Sequence, residues 1–180
     1  MIAIAVMTAI SALAYPTVAG GLRRQKLIDA TDEVMALVEF AHVQARSRNR
    51  AYVLEVNPTA GSQQHGVLSV YEASTARCSS LTDPLPSPIR QLDLNVGDFK
   101  DIKVTATLPV DLSSSRRLCF TPEGRLLDTS TSQPFPATNT AYGAGEAHIY
   151  LRRVDGSTPV DTTHRIIVSY QGLPRFEHAQ

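Results

Sequence analysis

Two cysteines, Cys78 and Cys119, are the residues of this chain that can form a covalent cross-link. A single pair in a domain that is exported across a membrane favours one disulfide. The alternative is two unpaired thiols, one in a loop and one in a strand. A bridge that closes the long loop from Cys78 to Cys119 would stabilise the fold by roughly 3–4 kcal/mol in the chain-entropy model. We expect the Cys78–Cys119 disulfide, provided that the domain reaches an oxidising compartment.

The other residues that could do chemistry are dispersed. No histidine belongs to an H-E-x-x-H or another metal-binding spacing. The five are His42, His65, His148, His164 and His178. Gly143-Ala144-Gly145 lacks the third glycine of a dinucleotide-binding turn, no G-x-S-x-G is present, and Ser113-Ser114-Ser115 is typical of a flexible turn. We expect no enzyme, no cofactor, no metal and no small-molecule substrate, and a packed structural role for His42.

The elements that must position these residues begin with a segment that carries no charge. Residues 1–22 form one apolar segment, and Arg23 is the first charged residue. As a helix, the segment would be roughly 33 Å long, which is enough to cross the ~30 Å hydrocarbon core of a bilayer. We therefore predict a transmembrane half of the helix over 1–22. Residues 23–180, long enough for one domain with a core, would then lie on one side of the membrane.

Three interpretations of this apolar segment are possible. A cleaved signal peptide would end at Ala12-Leu13-Ala14, but no basic residue precedes its apolar run. An ordinary membrane anchor would leave Arg23, Arg24 and Lys26 on the wrong side for the positive-inside rule if the domain is exported. The third interpretation is a helix that begins in the membrane and continues into the domain without a break.

The sequence after Gly21 favours the continuous helix. No proline or glycine occurs over 22–49, and apolar residues recur at steps of three and four. This stripe comprises Leu27, Ala30, Val34, Leu37, Val38, Ala41 and Ala45, and the opposite face carries Arg24, Asp32, Glu39 and Arg46. The stripe must pack on a partner, which we expect to be a sheet. Pro16 should kink the helix, because it has no N–H and its ring crowds the preceding turn.

Several of these features together resemble one protein family. Pro16 interrupts the apolar run, residues 45–49 read A-R-S-R-N before the first strand, and residues 120–125 read F-T-P-E-G-R. These residues, with the apolar strand at 164–169, resemble the GspH/FimT family of type IV pilin-like minor pseudopilins and minor pilins. The family's basic leader, which a prepilin peptidase removes, and its acidic residue near the mature start would both precede Met1. We therefore expect that the sequence is truncated or was assigned a late start codon.

Beyond the helix, alternating runs and turn residues predict antiparallel strands. Three hairpins are predicted, pairing 52–56 with 66–72, 117–120 with 125–127, and 146–154 with 163–170. A further strand is predicted over 101–108, and irregular stretches over 74–97 and 129–145. We predict an α+β fold, in which a long N-terminal helix, first transmembrane and then amphipathic, packs on antiparallel β-sheet as in pilins.

The resemblance implies a structural role. It makes the chain a minor pseudopilin or minor pilin, a subunit of a type II secretion pseudopilus or of a type IV pilus, acting in protein export or pilus assembly. The helix would hold the unassembled subunit in the bacterial inner membrane as a single pass, with its domain in the periplasm. It would then pack against the helices of other pseudopilins or pilins, where small residues such as Ala5 and Ala9 permit close approach.

DNA binding for uptake is the alternative that the resemblance implies. FimT-type members bind DNA through a basic C-terminal motif, roughly G-R-x-R. Gly172 and Arg175 match its first and last positions, while Leu173 replaces its first arginine. Further candidates are Arg152, Arg153 and Arg165. Against this alternative, 17 basic and 17 acidic residues cancel, whereas a dedicated nucleic-acid binder usually shows a basic excess. Arg175 would otherwise be a solvated residue at the end of a strand.

Overall fold

A computed structural model of the chain describes residues 2–80, 85–107, 116–129, 132–134, 145–155, 158–160 and 163–179. Side chains are not described at 2–20, 23, 80, 106–107, 158–159 and 179. The serine turn at 113–115 and most of the glycine pair at 143–145 therefore lie outside the described residues. So do the side chain of Pro16 and, with it, the predicted kink, and the division of the helix at residue 22 stays a prediction.

A single helix, α1, runs without interruption over Ile2–Arg48. It ends at Asn49, whose φ of 52° is left-handed, and the N–H of Arg50 donates to the carbonyl of Ala45 at 3.3 Å. This is a Schellman arrangement, which satisfies a carbonyl that would otherwise lack a partner at the helix end. Asparagine enters the left-handed region more readily than most residues, so Asn49 stops the helix just before the first strand.

The predicted apolar stripe of α1 is confirmed residue by residue. All seven of its members are at most 2% exposed: Leu27, Ala30, Val34, Leu37, Val38, Ala41 and Ala45. The predicted polar face is exposed at Arg24, Asp32, Glu39 and Arg46. Among the residues that the structure describes, no helical segment has the length and apolar character needed to cross a bilayer.

Ten strands lie within the described residues. They are β1 (Tyr52–Asn57), β2 (Val67–Glu72), β3 (Arg90–Asp93), β4 (Ile102–Thr107), β5 (Arg116–Phe120), β6 (Leu126–Asp128), β7 (Ala147–Asp155), β8 (Thr158–Pro159), β9 (Thr163–Val168) and β10 (Pro174–Ala179). They form two antiparallel sheets that both contact α1. The first has the order β3-β2-β1-β5-β6, and the second the order β10-β9-β7-β4, with β8 paired to β7. The predicted α+β layout is confirmed, although the prediction did not divide the strands between two sheets.

All three predicted hairpins are confirmed, because β1 pairs with β2, β5 with β6, and β7 with β9. The strand expected over 101–108 is β4. Three strands were not predicted: β3, β10 and the two-residue β8. β3 lies inside the stretch expected to be irregular, and its residues are exposed or half-buried, so no alternation marks it. β10 begins at Pro174, a residue that a strand tolerates in its first position or at an edge.

The main core lies between the helix stripe and the inward faces of both sheets. Leu54 and Leu68 of the first sheet and Ile149 and Ile166 of the second are at most 1% exposed there. Successive side chains of a strand point to opposite faces. The other face of the first sheet therefore carries a second, smaller cluster, formed by Ala51, Val53, Ala73, Cys78 and Cys119.

Candidate functional site

The turn between β9 and β10 packs against the C-terminal half of α1. The N–H of Gly172 donates to the carbonyl of Ser169 at 2.8 Å, and the N–H of Ser169 donates to the carbonyl of Leu173 at 3.1 Å. Gly172 has φ +75°, and a Cβ there would lie 2.7 Å from Cδ2 of His42. Glycine is thus needed both for its left-handed backbone and for its close approach to the helix.

The turn between β5 and β6 reaches the same histidine from another side. Gly124 has φ +79°, and a Cβ there would lie 3.1 Å from Nε2 of His42. His42 is 7% exposed, and its ring centroid lies 6.3 Å from that of Phe120. Burial lowers the pKa of His42, and the charge of Arg46 lowers it further, while a hydrogen bond to the backbone of Gly124 opposes both. His42 therefore joins the helix to both turns, in agreement with the packed role expected for it.

A hydrogen bond gives the β9–β10 hairpin a second contact with the helix. Nδ1 of His164 lies 2.8 Å from Oγ1 of Thr31, which in turn donates to the carbonyl of Leu27 at 2.7 Å. Because a threonine hydroxyl carries one hydrogen, we assign the proton of this pair to Nδ1 of His164, which donates to Thr31. Burial lowers the pKa of His164, and the charges of His178 and Arg24 lower it further.

Strand register places three of the four DNA-binding candidates on one face of the second sheet. Arg165 in β9 lies opposite Glu177 in β10 and opposite Tyr150 in β7. Arg175 and Arg152 lie two residues from Glu177 and Tyr150 along their strands, so both share this face. It is the face turned away from α1, since the alternate residues of β7 and β9 are in the main core.

Acidic residues lie among these arginines. Nη2 of Arg175 is 3.2 Å from a carboxylate oxygen of Glu146, and its Nε is 3.6 Å from Glu177. Arg165 also hydrogen-bonds to Glu177, and this bond lowers the pKa of the Glu177 carboxyl. The face therefore has mixed charge, and its carboxylates compete with phosphate groups for Arg165 and Arg175.

Arg153 does not join this face. It lines a cavity of about 530 Å³ with Gln63, His65, Lys100, Asp101, Val154 and Asp155. The side chain of Asn95 holds one wall, because its Oδ1 accepts the N–H groups of Gln63 and His65, each at 3.1 Å. Side chains of both charges line the cavity, so it shows no preference for an anion.

The two cysteines are joined in the structure. The Cα atoms of Cys78 and Cys119 lie 5.8 Å apart in a disulfide that spans 41 positions. Cys119 belongs to β5, and Cys78 lies in a short 3-10 turn after β2. The bridge therefore fastens the segment after β2 onto the first sheet, over the second apolar cluster.

The structure shows contacts that the sequence analysis did not anticipate. The glycines of two distant turns meet at His42, and His164 meets Thr31. A signal was present, since Thr31 and His42 are polar residues directly beside the apolar stripe. Within the described residues, no group of three or more His, Cys, Asp or Glu side chains lies together so as to hold a metal ion.

Comparisons with known proteins give one structural likeness. No family model matches the chain, and no curated protein matches it. Among solved structures, it is similar to the type IV minor pilin FimU of Pseudomonas aeruginosa in two crystal forms. One has 16% identity and a TM-score of 0.49, over 87% of this chain and 90% of that chain. The other has 17% identity and a TM-score of 0.49, over 84% of this chain and 96% of that chain. Any functional proposal must therefore rest on this chain's own residues.

Proposed function

We propose that the chain is a GspH/FimT-type minor pseudopilin or minor pilin, a structural subunit of a type II secretion pseudopilus or a type IV pilus. The observation that carries the proposal is one continuous helix whose buried stripe begins only at Leu27. The described side chains just before this stripe, at residues 21, 22, 24 and 25, are exposed. They lie at the end of the charge-free segment 1–22 and directly after it. A helical segment of this length without a charge needs an apolar environment.

Two environments in succession would meet that need. Residues 1–22 first lie in the bacterial inner membrane as a single pass, with residues 23–180 in the periplasm. In the filament they then pack against the same segment of other pilins or pseudopilins, where alanines allow close approach. The amphipathic half, fixed to both sheets, transmits the position of this segment to the domain.

Membrane attachment is tested by fractionating cells that express the full chain from its native gene. The wild-type chain should stay with the membrane through carbonate extraction. Ile10→Arg should release a large share of it, because an arginine at the centre of a membrane helix costs about 3 kcal/mol. Val43→Arg is the matched control, since Val43 is 57% exposed on the other half of the same helix. Complete extraction of the wild-type chain, or equal effects of both variants, would contradict the proposal.

The choice between the two machines needs a second measurement. Deleting the gene and scoring both surface pili and secreted proteins shows which process depends on the chain. Complementation with the wild-type gene should restore that process, and complementation with Ile10→Arg should not. If neither process changes on deletion, the chain is a subunit of neither machine.

DNA binding is a second candidate function, favoured by the shared face of Arg152, Arg165 and Arg175. In a gel-shift assay, Arg175→Ala should weaken binding and lower the salt slope by about 0.9 for each phosphate group that the variant no longer neutralises. Arg48→Ala is the matched control. The Arg48 side chain is 60% exposed and pairs with Glu72, as the 56% exposed Arg175 pairs with Glu146. Retardation that is insensitive to salt, or equal weakening in both variants, would rule out this face as a DNA site.

A further inference from the structure

We propose that His164 and His178 form a two-histidine site for a divalent transition-metal ion such as Zn²⁺, Ni²⁺ or Cu²⁺. The two residues are direct partners across the β9–β10 ladder, and their ring centroids lie 5.2 Å apart. Imidazole nitrogen is a good ligand for these ions. Because the ligands are brought together by strand pairing, their separation along the chain matches no metal-binding motif.

The separation of the rings fits a shared ion. A ring nitrogen lies about 1.1 Å from the ring centroid and about 2.1 Å from a bound Zn²⁺, so two imidazoles at a tetrahedral angle place their centroids about 5.2 Å apart. The observed separation is 5.2 Å, with the rings 80° from parallel. His178 is exposed, so its ring can turn to direct a nitrogen at the ion while His164 stays in place.

The surroundings of His164 prepare it as a ligand. The assigned proton on Nδ1 is held by Thr31 at 2.8 Å, which leaves the lone pair on Nε2. A metal-binding histidine typically donates its other ring N–H to a second group, which fixes both the tautomer and the orientation of the ring.

Phe176 packs against both histidines, and Arg24 brings a positive charge to the site. The Phe176 ring packs edge to face on both histidines, with centroids 4.8 Å from His164 and 4.7 Å from His178. The positive charge of Arg24, on α1, acts on His164 and opposes a cation there. Two protein ligands leave positions open for water or for a group from a partner.

Titration of the full chain in detergent with ZnCl₂, followed by calorimetry, tests the site. We expect one ion per chain and a loss of affinity of more than tenfold in His178→Gln, whose exposed position leaves the fold intact. Thr31→Val, which removes the partner of Nδ1, should weaken binding by about tenfold. Arg24→Gln should tighten binding at low salt, because it removes the opposing charge.

A control histidine and a spectroscopic readout locate the ion. His65→Gln, outside the pair, should leave the affinity unchanged. With Ni²⁺, paramagnetic broadening of amide signals should centre on β9 and β10. No binding by the wild-type chain, an unchanged affinity in His178→Gln, or broadening centred elsewhere would each overturn the proposal.

Discussion

Replacing Gly172 by alanine tests whether the β9–β10 turn depends on its contact with the helix. The backbone there has φ +75°, and the added Cβ would lie 2.7 Å from Cδ2 of His42 and 3.3 Å from the carbonyl oxygen of Gly124. A side chain in the left-handed region costs about 1–2 kcal/mol. Forcing a methyl group into a packed site costs about 1–3 kcal/mol more. Gly172→Ala should therefore lower the free energy of unfolding by about 2–5 kcal/mol.

A second glycine separates the two causes. Gly97 also has a left-handed backbone, with φ +67°, but beyond its own residue and its chain neighbours no described atom lies within 4 Å of its added Cβ. Gly97→Ala should lower the free energy of unfolding by only about 1–2 kcal/mol, because the backbone cost acts alone. The difference between the two variants measures the contact with the helix.

Urea unfolding of the full chain in detergent provides the assay. The chain has no Trp and 6 Tyr, so tyrosine fluorescence and near-ultraviolet circular dichroism follow the loss of packing. In a domain of this size, each 1 kcal/mol should also lower the midpoint of thermal unfolding by about 2–4 °C. Equal destabilisation in Gly172→Ala and Gly97→Ala would show that the contact with His42 contributes nothing.

The His42→Ala background gives an independent check. Removing the imidazole relieves the 2.7 Å contact and leaves the 3.3 Å contact with the carbonyl oxygen of Gly124, so Gly172→Ala should then cost clearly less than it does in the wild-type chain. A cost that stays unchanged in this background would refute the steric explanation. If the contact with His42 accounts for the loss of stability, Gly172 has a structural role that is independent of any DNA binding by Arg175.

Three further predictions concern the cross-link, pH and the helix. The chain, isolated without reductant, should show the mass of one disulfide, and replacing Cys78 and Cys119 by serine should cost about 4 kcal/mol for a span of 41 positions; two free thiols would disprove the bridge. Stability should fall as pH drops below about 6.5, because burial lowers the folded-state pKa of three histidines, so that the unfolded chain binds more protons; a urea midpoint that is constant from pH 7 to 5 would contradict this. The three histidines with a lowered pKa are His42, His148 and His164. Thr31→Val should cost about 1–3 kcal/mol in urea, because it leaves buried Nδ1 of His164 unpaired, and an unchanged midpoint would show that this bond is dispensable.

The sequence predicted the parts of the fold that rest on local pattern. The helix stripe from Leu27 to Ala45 follows the helical period, and its burial needed no knowledge of the partner sheet. The hairpins around Gly61 and Gly124 are marked by glycines with positive φ between alternating runs. Each of these signals lies within a short stretch of chain, which is why it could be recognised.

The strands that the sequence did not predict lack such local signals. β3 has one partly buried apolar residue, Leu92, and the rest of Arg90–Asp93 is polar, so no local pattern marks it and its pairing with β2 defines the strand. β10 is a strand because each of its residues pairs with a residue of β9. The same pairing brings Arg165 to Glu177, so the mixed charge of the proposed DNA face could not be inferred from a count of basic residues.

Two buried polar residues beside the helix stripe explain how the C-terminal hairpin is positioned. Thr31 and His42 are buried in α1 among apolar neighbours, about three helical turns or roughly 16 Å apart. Thr31 binds His164 in β9, and His42 packs against Gly172 in the turn between β9 and β10. Apolar burial alone would allow a strand to slide along the stripe, because the hydrophobic effect has no direction. Two specific contacts at two levels of the helix fix the hairpin, so a displacement of α1 would reach β9 and the β9–β10 turn through them.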